Sequence, residues 1–465
     1  MEHFEYDLVV VGAGSGGYAA ARTARDLGAR VALVDHGPLG GLCILRGCMP
    51  SKTLLASSDR AQDVREAGEL GVAGGAPQID FRAIMQRKAR IIKGFTDYRV
   101  DQIESFPLHR GEARFLSPTQ LAVGAAVVLR ADRFIIGTGS VIAPPALHGM
   151  VETGYIDSDR ALELDAPPKS LIVLGGGYVG SELGQFFARI GIPTTFLIRS
   201  GQLLTGEDAD VGEALTESFR ADGIRIETGV KLLRAERRGE LKVVHFEQGG
   251  HPRELAAHEI FYALGRVPQI AGLDLERAGV RAHPISGIEV GDDLRTSNPN
   301  IFAVGDVLGG HLLVHVAIYQ GEIAARNALR NGRERADYSL VTAHTVFTDP
   351  QIAIAGKTEK ELEAGGIAYR VAKYPFDDHG KAIAIGKTKG FVKMLAAPRD
   401  GRILGVAIVG AEASDLIHEA IVAMHFHATV HDFVKIPHLH PTMAEILTYP
   451  AEELVEILAS EAIAV

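Results

Sequence analysis

Cysteine is scarce in this chain. Two occur in 465 residues, Cys43 and Cys48, five positions apart. So few thiols exclude a scaffold stapled by many disulfides. An excess of positive charge is also missing. The net charge is −10 and no basic block stands out, which argues against a nucleic-acid surface. No run of about 18 apolar residues is present, so no membrane-spanning helix is expected. The start, Met1-Glu2-His3-Phe4-Glu5, lacks the basic residues of a signal peptide. These absences lead to the expectation of a soluble, cytoplasmic protein. What the chain does have is glycine, 53 residues, above the usual share of about 7%. Its length predicts two to four domains rather than one core.

The stretch Gly40 to Lys52 holds both cysteines. In a regular helix residues i and i+5 lie on roughly opposite sides, with Cα atoms about 8.7 Å apart, beyond the ~7 Å limit for a bridge. A disulfide here therefore requires distorted backbone around Cys43, and strained disulfides reduce readily. Pro50 suits a first helical turn, which would set Cys48 at a helix N-terminus where the dipole favours a thiolate. The pair reads as a redox device. A structural disulfide or two buried thiols are the alternatives.

Asp7 to Val11 reads as a strand, Gly12-Ala13-Gly14-Ser15-Gly16-Gly17 as a turn, Ala19 to Leu27 as a helix stopped by Gly28, and Arg30 to Val34 as a second strand ending in Asp35. Gly12, Gly14 and Gly17 form G-x-G-x-x-G, which lets a pyrophosphate approach the helix N-terminus. Asp35 can then accept hydrogen bonds from a ribose diol. The alternative is a glycine-rich turn with no ligand. The pattern recurs 163 residues later: strand Leu171 to Leu174, turn Gly175, Gly177 and Gly180, helix Ser181 to Ile190, strand Thr194 to Ile198. Two such folds imply two dinucleotides. The second strand ends in Arg199 with no carboxylate, which favours NADP over NAD, although a solvated surface arginine reads the same way. Ala143-Pro144-Pro145 looks like a linker. Leu241 to Leu264 suggests a small antiparallel sheet around Gly249-Gly250, and Ile301 to Asp306 another buried strand ending in an acid. From about Ser339 strands and helices alternate as a separate α+β domain. His440 precedes Pro441, expected to open a helix containing Glu445. A carboxylate on one imidazole nitrogen raises basicity, and no other His–Glu pair stands in so favourable a loop-to-helix context.

Together these motifs resemble the FAD-dependent pyridine nucleotide–disulfide oxidoreductases, among them lipoamide dehydrogenase, glutathione reductase and mercuric reductase. The resemblance runs from about Tyr6 to Val455. It implies an α/β fold: two Rossmann-type domains, for FAD and NAD(P), plus a C-terminal α+β dimerisation domain. The implied boundaries are 1–147 and 271–338 for the FAD part, 148–270 for NAD(P) and 339–465 for dimerisation. It implies Cys48 as the thiol beside the flavin and Cys43 as the interchange thiol of a redox disulfide. Lys52 and Glu182 match an ion pair beside the flavin, and Tyr178 an aromatic gating the nicotinamide pocket. Asp35 and Asp306 match carboxylates on the FAD ribose and ribitol. His440 and Glu445 match a dyad reaching the other subunit's active site, so a homodimer is implied. Further cofactor contacts are implied for Gly12, Gly14, Ser15, Gly17, Gly41, Ala113, Thr138 and Gly139 on the FAD side, and for Gly175, Gly177, Gly180, Arg199, Val230 and Gly265 on the nicotinamide side. No metal site is implied.

Departures bear on substrate. The family's usual threonine before the first cysteine is Leu42, and its Asn-x-Gly is Leu45-Arg46-Gly47. Ser15 and Arg22 match positions that touch glutathione in glutathione reductase, but Glu322 replaces a second glutathione-binding arginine. No third cysteine exists to capture mercury. Pro50-Ser51-Lys52 and His315 are shared with lipoamide dehydrogenase. The leading expectation is electron transfer between NAD(P)H and a dithiol or disulfide of lipoamide type. An NADPH-dependent reductase of another small disulfide, or a diaphorase- or mercuric-reductase-like flavoprotein, is the alternative.

Overall fold

The structure, a computed structural model, describes residues 5–463. Met1–Phe4, read above for its lack of basic residues, and Ala464–Val465, the last of the expected 339–465 domain, lie outside them. The chain forms two compact units. One is made of 1–50, 86–144 and 265–342, the other of 51–85, 145–264 and 343–465. The partition differs from the expected boundaries. Residues 51–85 pack with the second unit, which also takes most of the expected 148–270 and 339–465 segments, while 265–270 and 339–342 fall in the first.

The first unit is built on a seven-stranded sheet. Strand β1 (Tyr6–Val11) lies between β2 (Val31–Asp35) and the strand Val127–Ile136, with Leu108–Arg110 outside β2, all parallel. The strand Ile301–Ala303 adds in parallel beside the later half of Val127–Ile136, while its earlier half pairs antiparallel with Gln120–Val123. Helix α1 (Ser15–Asp26) follows β1, and Gly28, at φ +84°, turns the chain into β2. Leu8 to Val10 are fully buried, the continuous apolar run expected of a parallel strand covered on both faces.

The second unit repeats the plan. Strands Arg225–Glu227, Thr194–Leu197, Leu171–Leu174 and Glu259–Tyr262 form a parallel sheet, with helix Tyr178–Arg189 after the second glycine turn. Phe186, Phe187, Phe196 and Phe219 are fully buried in its core. The expected antiparallel sheet is only partly right. Leu241–Gln248 and His251–Ala257 pair as expected, joined by Val230–Arg238, but Glu259–Tyr262 leaves that ladder to pair in parallel with Leu171–Leu174. Ile260 and Phe261 are fully buried there, which a two-sided parallel sheet demands and a small surface sheet cannot supply. The C-terminal part is a five-stranded antiparallel sheet, His344–Val346, Gln351–Gly356, Ile403–Gly410, Phe391–Ala396 and Arg370–Pro375, packed with helices Ala413–His425 and Thr448–Ile463. The fold is thus the expected α/β class with an α+β C-terminal region. Among the described residues no helix is long and apolar enough to cross a membrane.

Candidate active site

The two glycine turns are built alike. Gly12 and Gly175 have φ of +99° and +108°, which only glycine adopts without strain. A Cβ on Gly17 would sit 1.9 Å from the Gly12 carbonyl oxygen, and one on Gly180 would sit 2.5 Å from that of Gly175. Each third glycine therefore lets the helix press onto its own strand end. Gly14 and Gly177 cap their helices without any side-chain cap, and the space where their Cβ atoms would stand is empty. A phosphate can approach uncapped helical N–H groups there. The first site also carries its acids. Asp35 accepts hydrogen bonds from the N–H of Ala13 (2.8 Å) and Gly37 (2.6 Å), fixing its carboxylate across the turn. Asp306, just past strand Ile301–Ala303 of the same sheet, accepts from Ser140 Oγ at 2.7 Å, and Arg266 Nε donates to that Oγ at 2.9 Å. Thr138 Oγ1 donates to the Gln269 carbonyl, Gly139 has φ +77°, and Ala113 begins an edge strand of the sheet. An open glycine cradle and two anchored carboxylates past strand ends of one sheet fit FAD.

The cysteines follow directly from that cradle. Helix α2 (Gly41–Arg46) begins at Gly41, where a Cβ would be 2.9 Å from the Gly14 Cα. So α2, with Cys43 in it, starts against the first glycine turn. The expected distortion is present, but at Gly47 rather than around Cys43. Gly47 has φ −131° and ψ −117° and separates α2 from helix α3 (Cys48–Glu66). A Cβ there would lie 3.0 Å from the Leu42 carbonyl oxygen and 3.2 Å from the Cys43 Cα. Without it the chain folds back closely on Cys43. Cys48 opens α3, as expected from Pro50, and the first turn carries no acid. Both thiols are half-buried, and Arg46 is exposed.

Lys52 lies one turn along α3 from Cys48. Its Nζ is 2.7 and 2.9 Å from the two carboxylate oxygens of Glu182, whose side chain is 7% exposed. Glu182 also accepts the Phe347 N–H at 3.0 Å. Tyr178, first residue of its helix, donates its hydroxyl to Glu207 Oε1 (2.5 Å), and His344 Nε2 meets the same oxygen at 3.0 Å. Burial, then the Glu207 charge, push the Tyr178 hydroxyl well above its ordinary pKa. Burial opposes the Glu207 charge, but the bonds from His344 and Tyr178 outweigh it and hold that carboxyl below its usual range. Arg199 is exposed after strand Thr194–Leu197, Val230 is buried at the start of Val230–Arg238, and Gly265 has φ +112°.

His440 Nδ1 is 3.0 Å from Glu445 Oε1, and the ring is 78% exposed. The His440 bond is the main cause holding the Glu445 carboxyl below its usual range. Pro441 does not open a helix. It stands in a turn, Glu445 lies in the short 3-10 helix Ala444–Leu447, and the long helix begins at Thr448. Glu445 accepts the Thr442 N–H and so spends its carboxylate on the turn. Among the His–Glu pairs of the described residues that the sequence reading missed are His344–Glu207 and His438–Glu419, besides His245 with Glu236 and Glu254. In the first two the partners stand far apart in the chain, so no spacing announces them. Arg22 is tied to Glu322 at 2.8 Å, which cancels the charge a glutathione carboxylate would seek. The acids Asp208, Asp210 and Glu359 cluster, but the Lys393 ammonium lies 2.8 Å from each and already serves them as cation.

Residues 6–321 match the family described as pyridine nucleotide-disulphide oxidoreductase, and residues 342–451 match its dimerisation domain. A dihydrolipoyl dehydrogenase of Geobacillus stearothermophilus is 35% identical over 457 residues, 96% of each chain. A mercuric reductase of Bacillus cereus is 33% identical over 446 residues, 95% of this chain and 70% of that one. Among solved structures, the Cu(II) complex of the HOCl-induced flavoprotein disulfide reductase RclA from Escherichia coli superposes with a TM-score of 0.87 at 26% identity, covering 97% of this chain and 100% of that one.

Proposed function

This chain belongs to the pyridine nucleotide-disulphide oxidoreductases, which use FAD and NAD(P)H, and we propose that within that family it moves electrons between NAD(P)H and a dithiol or disulfide of dihydrolipoamide type through Cys43 and Cys48. The observation that carries the reading is the break at Gly47, which folds the start of α3 back onto Cys43 beside the first glycine turn. The dimerisation domain supports a homodimer. The Arg22–Glu322 pair weighs against glutathione disulfide, and the absence of a third cysteine against mercury. Exposed Arg199 supports NADP over NAD, and a cytoplasmic setting suits a pair that must cycle.

FAD, when bound, supplies the two-electron exchange between NAD(P)H and the cysteine pair. Gly12, Gly14, Gly17, Asp35 and Asp306 would hold it. The α3 N-terminus stabilises the Cys48 thiolate. In the reducing direction the Cys43 thiolate attacks one substrate sulfur. A Cys43–substrate S–S bond forms, the substrate S–S bond breaks, and the departing sulfur takes a proton from the second copy's His440. The Cys48 thiolate then attacks Cys43 Sγ. The Cys43–Cys48 bond forms, and the second substrate sulfur leaves as a thiolate and takes up a proton. Two electrons pass from the cysteine pair to the substrate. Glu445 holds the imidazole through Nδ1 and leaves Nε2 for this proton traffic.

The test is stopped-flow reduction with NADH and NADPH, followed by oxidation with lipoamide or glutathione disulfide. Cys43→Ser should abolish turnover with lipoamide while FAD stays bound. Full lipoamide turnover by Cys43→Ser would sink the disulfide mechanism in favour of direct, diaphorase-type electron transfer.

A further inference from the structure

His438 stands two residues before His440 on the same loop, and its side chain is 7% exposed. Its Nε2 is 2.5 Å from Glu419 Oε1, on helix Ala413–His425, and its Nδ1 is 2.9 Å from the Ile436 carbonyl oxygen. An ionised carboxylate and a carbonyl oxygen can only accept. Both ring nitrogens must therefore donate to satisfy the arrangement. Neutral imidazole carries a single N–H, whereas imidazolium carries two. The ring also leans on buried Phe433 at 5.5 Å.

These contacts tie down one end of the His440 loop. The other end is held by the Thr442 N–H on Glu445 Oε2 (3.1 Å) and by Thr442 Oγ1 on the Leu439 carbonyl (2.7 Å). His440 lies between the two anchors with its ring 78% exposed. Glu445 holds the ring through Nδ1, and the two anchors place the backbone that carries it. We infer that His438 is a positioning residue for His440. As an imidazolium held between Glu419 and the Ile436 carbonyl, it fixes the loop, and losing its proton releases the loop. The inference rests on the reading of His440 as the acid–base residue. The charged group facing His438 from helix Ala413–His425 is Glu419. From helix Val430–Phe433 it is faced by the uncharged Phe433 ring, while Lys435 just beyond pairs with Asp432 at 3.7 Å. On its own loop the nearest titratable groups in the chain are His440 and, past the turn, Glu445.

Loss of the proton would leave one ring nitrogen lone pair aimed at an oxygen lone pair, so one of the two contacts must open. The consequence is a pH-dependent difference between two proteins that share the same His440. The FAD-loaded dimer, reduced to the dithiol, is mixed with lipoamide and its reoxidation followed by stopped flow across pH. His438→Gln, which never carries the charge and has its two N–H donors on a single nitrogen instead of on two sides of a ring, should be about tenfold slower at the acid end. That is a modest share of the roughly 10²- to 10⁴-fold worth of a placed acid–base group. The gap should close as pH rises and the unaltered protein loses its own clamp. In Glu419→Gln the amide oxygen still accepts but the charge is gone. It should match the unaltered protein at the acid end. NAD(P)H affinity and FAD content should not move in either variant. A rate ratio that is flat across pH, or equal to one throughout, while His440→Gln is slow, overturns the clamp alone. Normal reoxidation by His440→Gln overturns the reading of His440 itself and the clamp with it.

Discussion

Replacing Arg189 with Met would remove one cation from three carboxylates. Arg189 ends the helix Tyr178–Arg189 and is 2% exposed. Its Nη1 is 2.9 Å from Asp59, and its Nη2 is 2.7 Å from Asp349 and 3.1 Å from Asp222. Burial works against the Asp349 charge, but the guanidinium overcomes it and holds that carboxyl below the usual range. A carboxyl depressed in the folded state contributes stability above its unfolded pKa and loses it as pH falls through the folded value. Methionine fills similar space, so the change is mainly electrostatic. Truncating one side of a buried pair costs about 3–5 kcal/mol. A stranded carboxylate has an escape, since it can take up a proton. That escape costs about 1.36 kcal/mol per pH unit above an ordinary aspartate pKa of about 3.9. The penalty on one stranded aspartate is therefore capped at about 4 kcal/mol at pH 7 and about 1.5 at pH 5. Lys389, 3.0 Å from Asp222, and the charge of Lys387, which also helps lower the Asp349 carboxyl, set the outcome below the cap. The expectation is a loss of about 3 kcal/mol at pH 7 and less than half of that at pH 5. Urea unfolding of both proteins at the two pH values, followed by circular dichroism, measures it. Arg189→Lys, which keeps the charge without the fork, should fall between. Equal losses at pH 5 and 7 would refute the electrostatic reasoning and assign the effect to packing.

Two further expectations rest on single residues. Burial, opposed by Arg189, pushes the Asp59 carboxyl up to about 6. A raised carboxyl makes the folded state weaker as pH rises from the unfolded value through the folded one. Asp59→Asn should thus stabilise the protein above pH 6 and be neutral near pH 4. The gain should be about 1 kcal/mol rather than the ~3 of a fully buried group, because the side chain is 45% exposed and solvent screens it. Thermal unfolding at pH 4.5 and 8 checks this, and a gain independent of pH would count against it. Gly47→Ala would press a methyl to 3.0 Å from the Leu42 oxygen and 3.2 Å from the Cys43 Cα. If about 1–3 kcal/mol of overpacking falls on the closed disulfide, its potential should rise by roughly 20–60 mV. Equilibration with dihydrolipoamide would show it, and a shift under about 5 mV would mean that Gly47 is not what lets the pair close.

Local arrangement was legible from the chain alone. Strand, glycine turn, helix, strand and acid are consecutive, so their meaning does not depend on anything distant. The same holds for Cys43 and Cys48 on either side of Gly47, and for His440 with Glu445, five residues on. Errors occurred where a segment chooses between partners. Glu259–Tyr262 follows the hairpin closely in the chain and reads as part of it, yet its continuous run Ile260-Phe261-Tyr262 is buried in the parallel sheet beside Leu171–Leu174. Pro441 could have started a helix, but the Glu445 carboxylate takes the Thr442 N–H and holds that stretch as a turn.

The sequence by itself determined two glycine turns between strand and helix, one close cysteine pair and one His–Glu pair, since each is written within a few dozen residues by spacing and residue type. Only the tertiary structure decided which distant groups would control them. Glu182 comes 130 positions along the chain to reach Lys52. His344 and Glu207 meet at Tyr178, Gly41 seats against Gly14, and Glu419 meets His438. Burial makes each of those contacts matter, because a charge or a donor removed from water must find its partner inside the fold. Burial is a property of the packed chain, not of the string of residues.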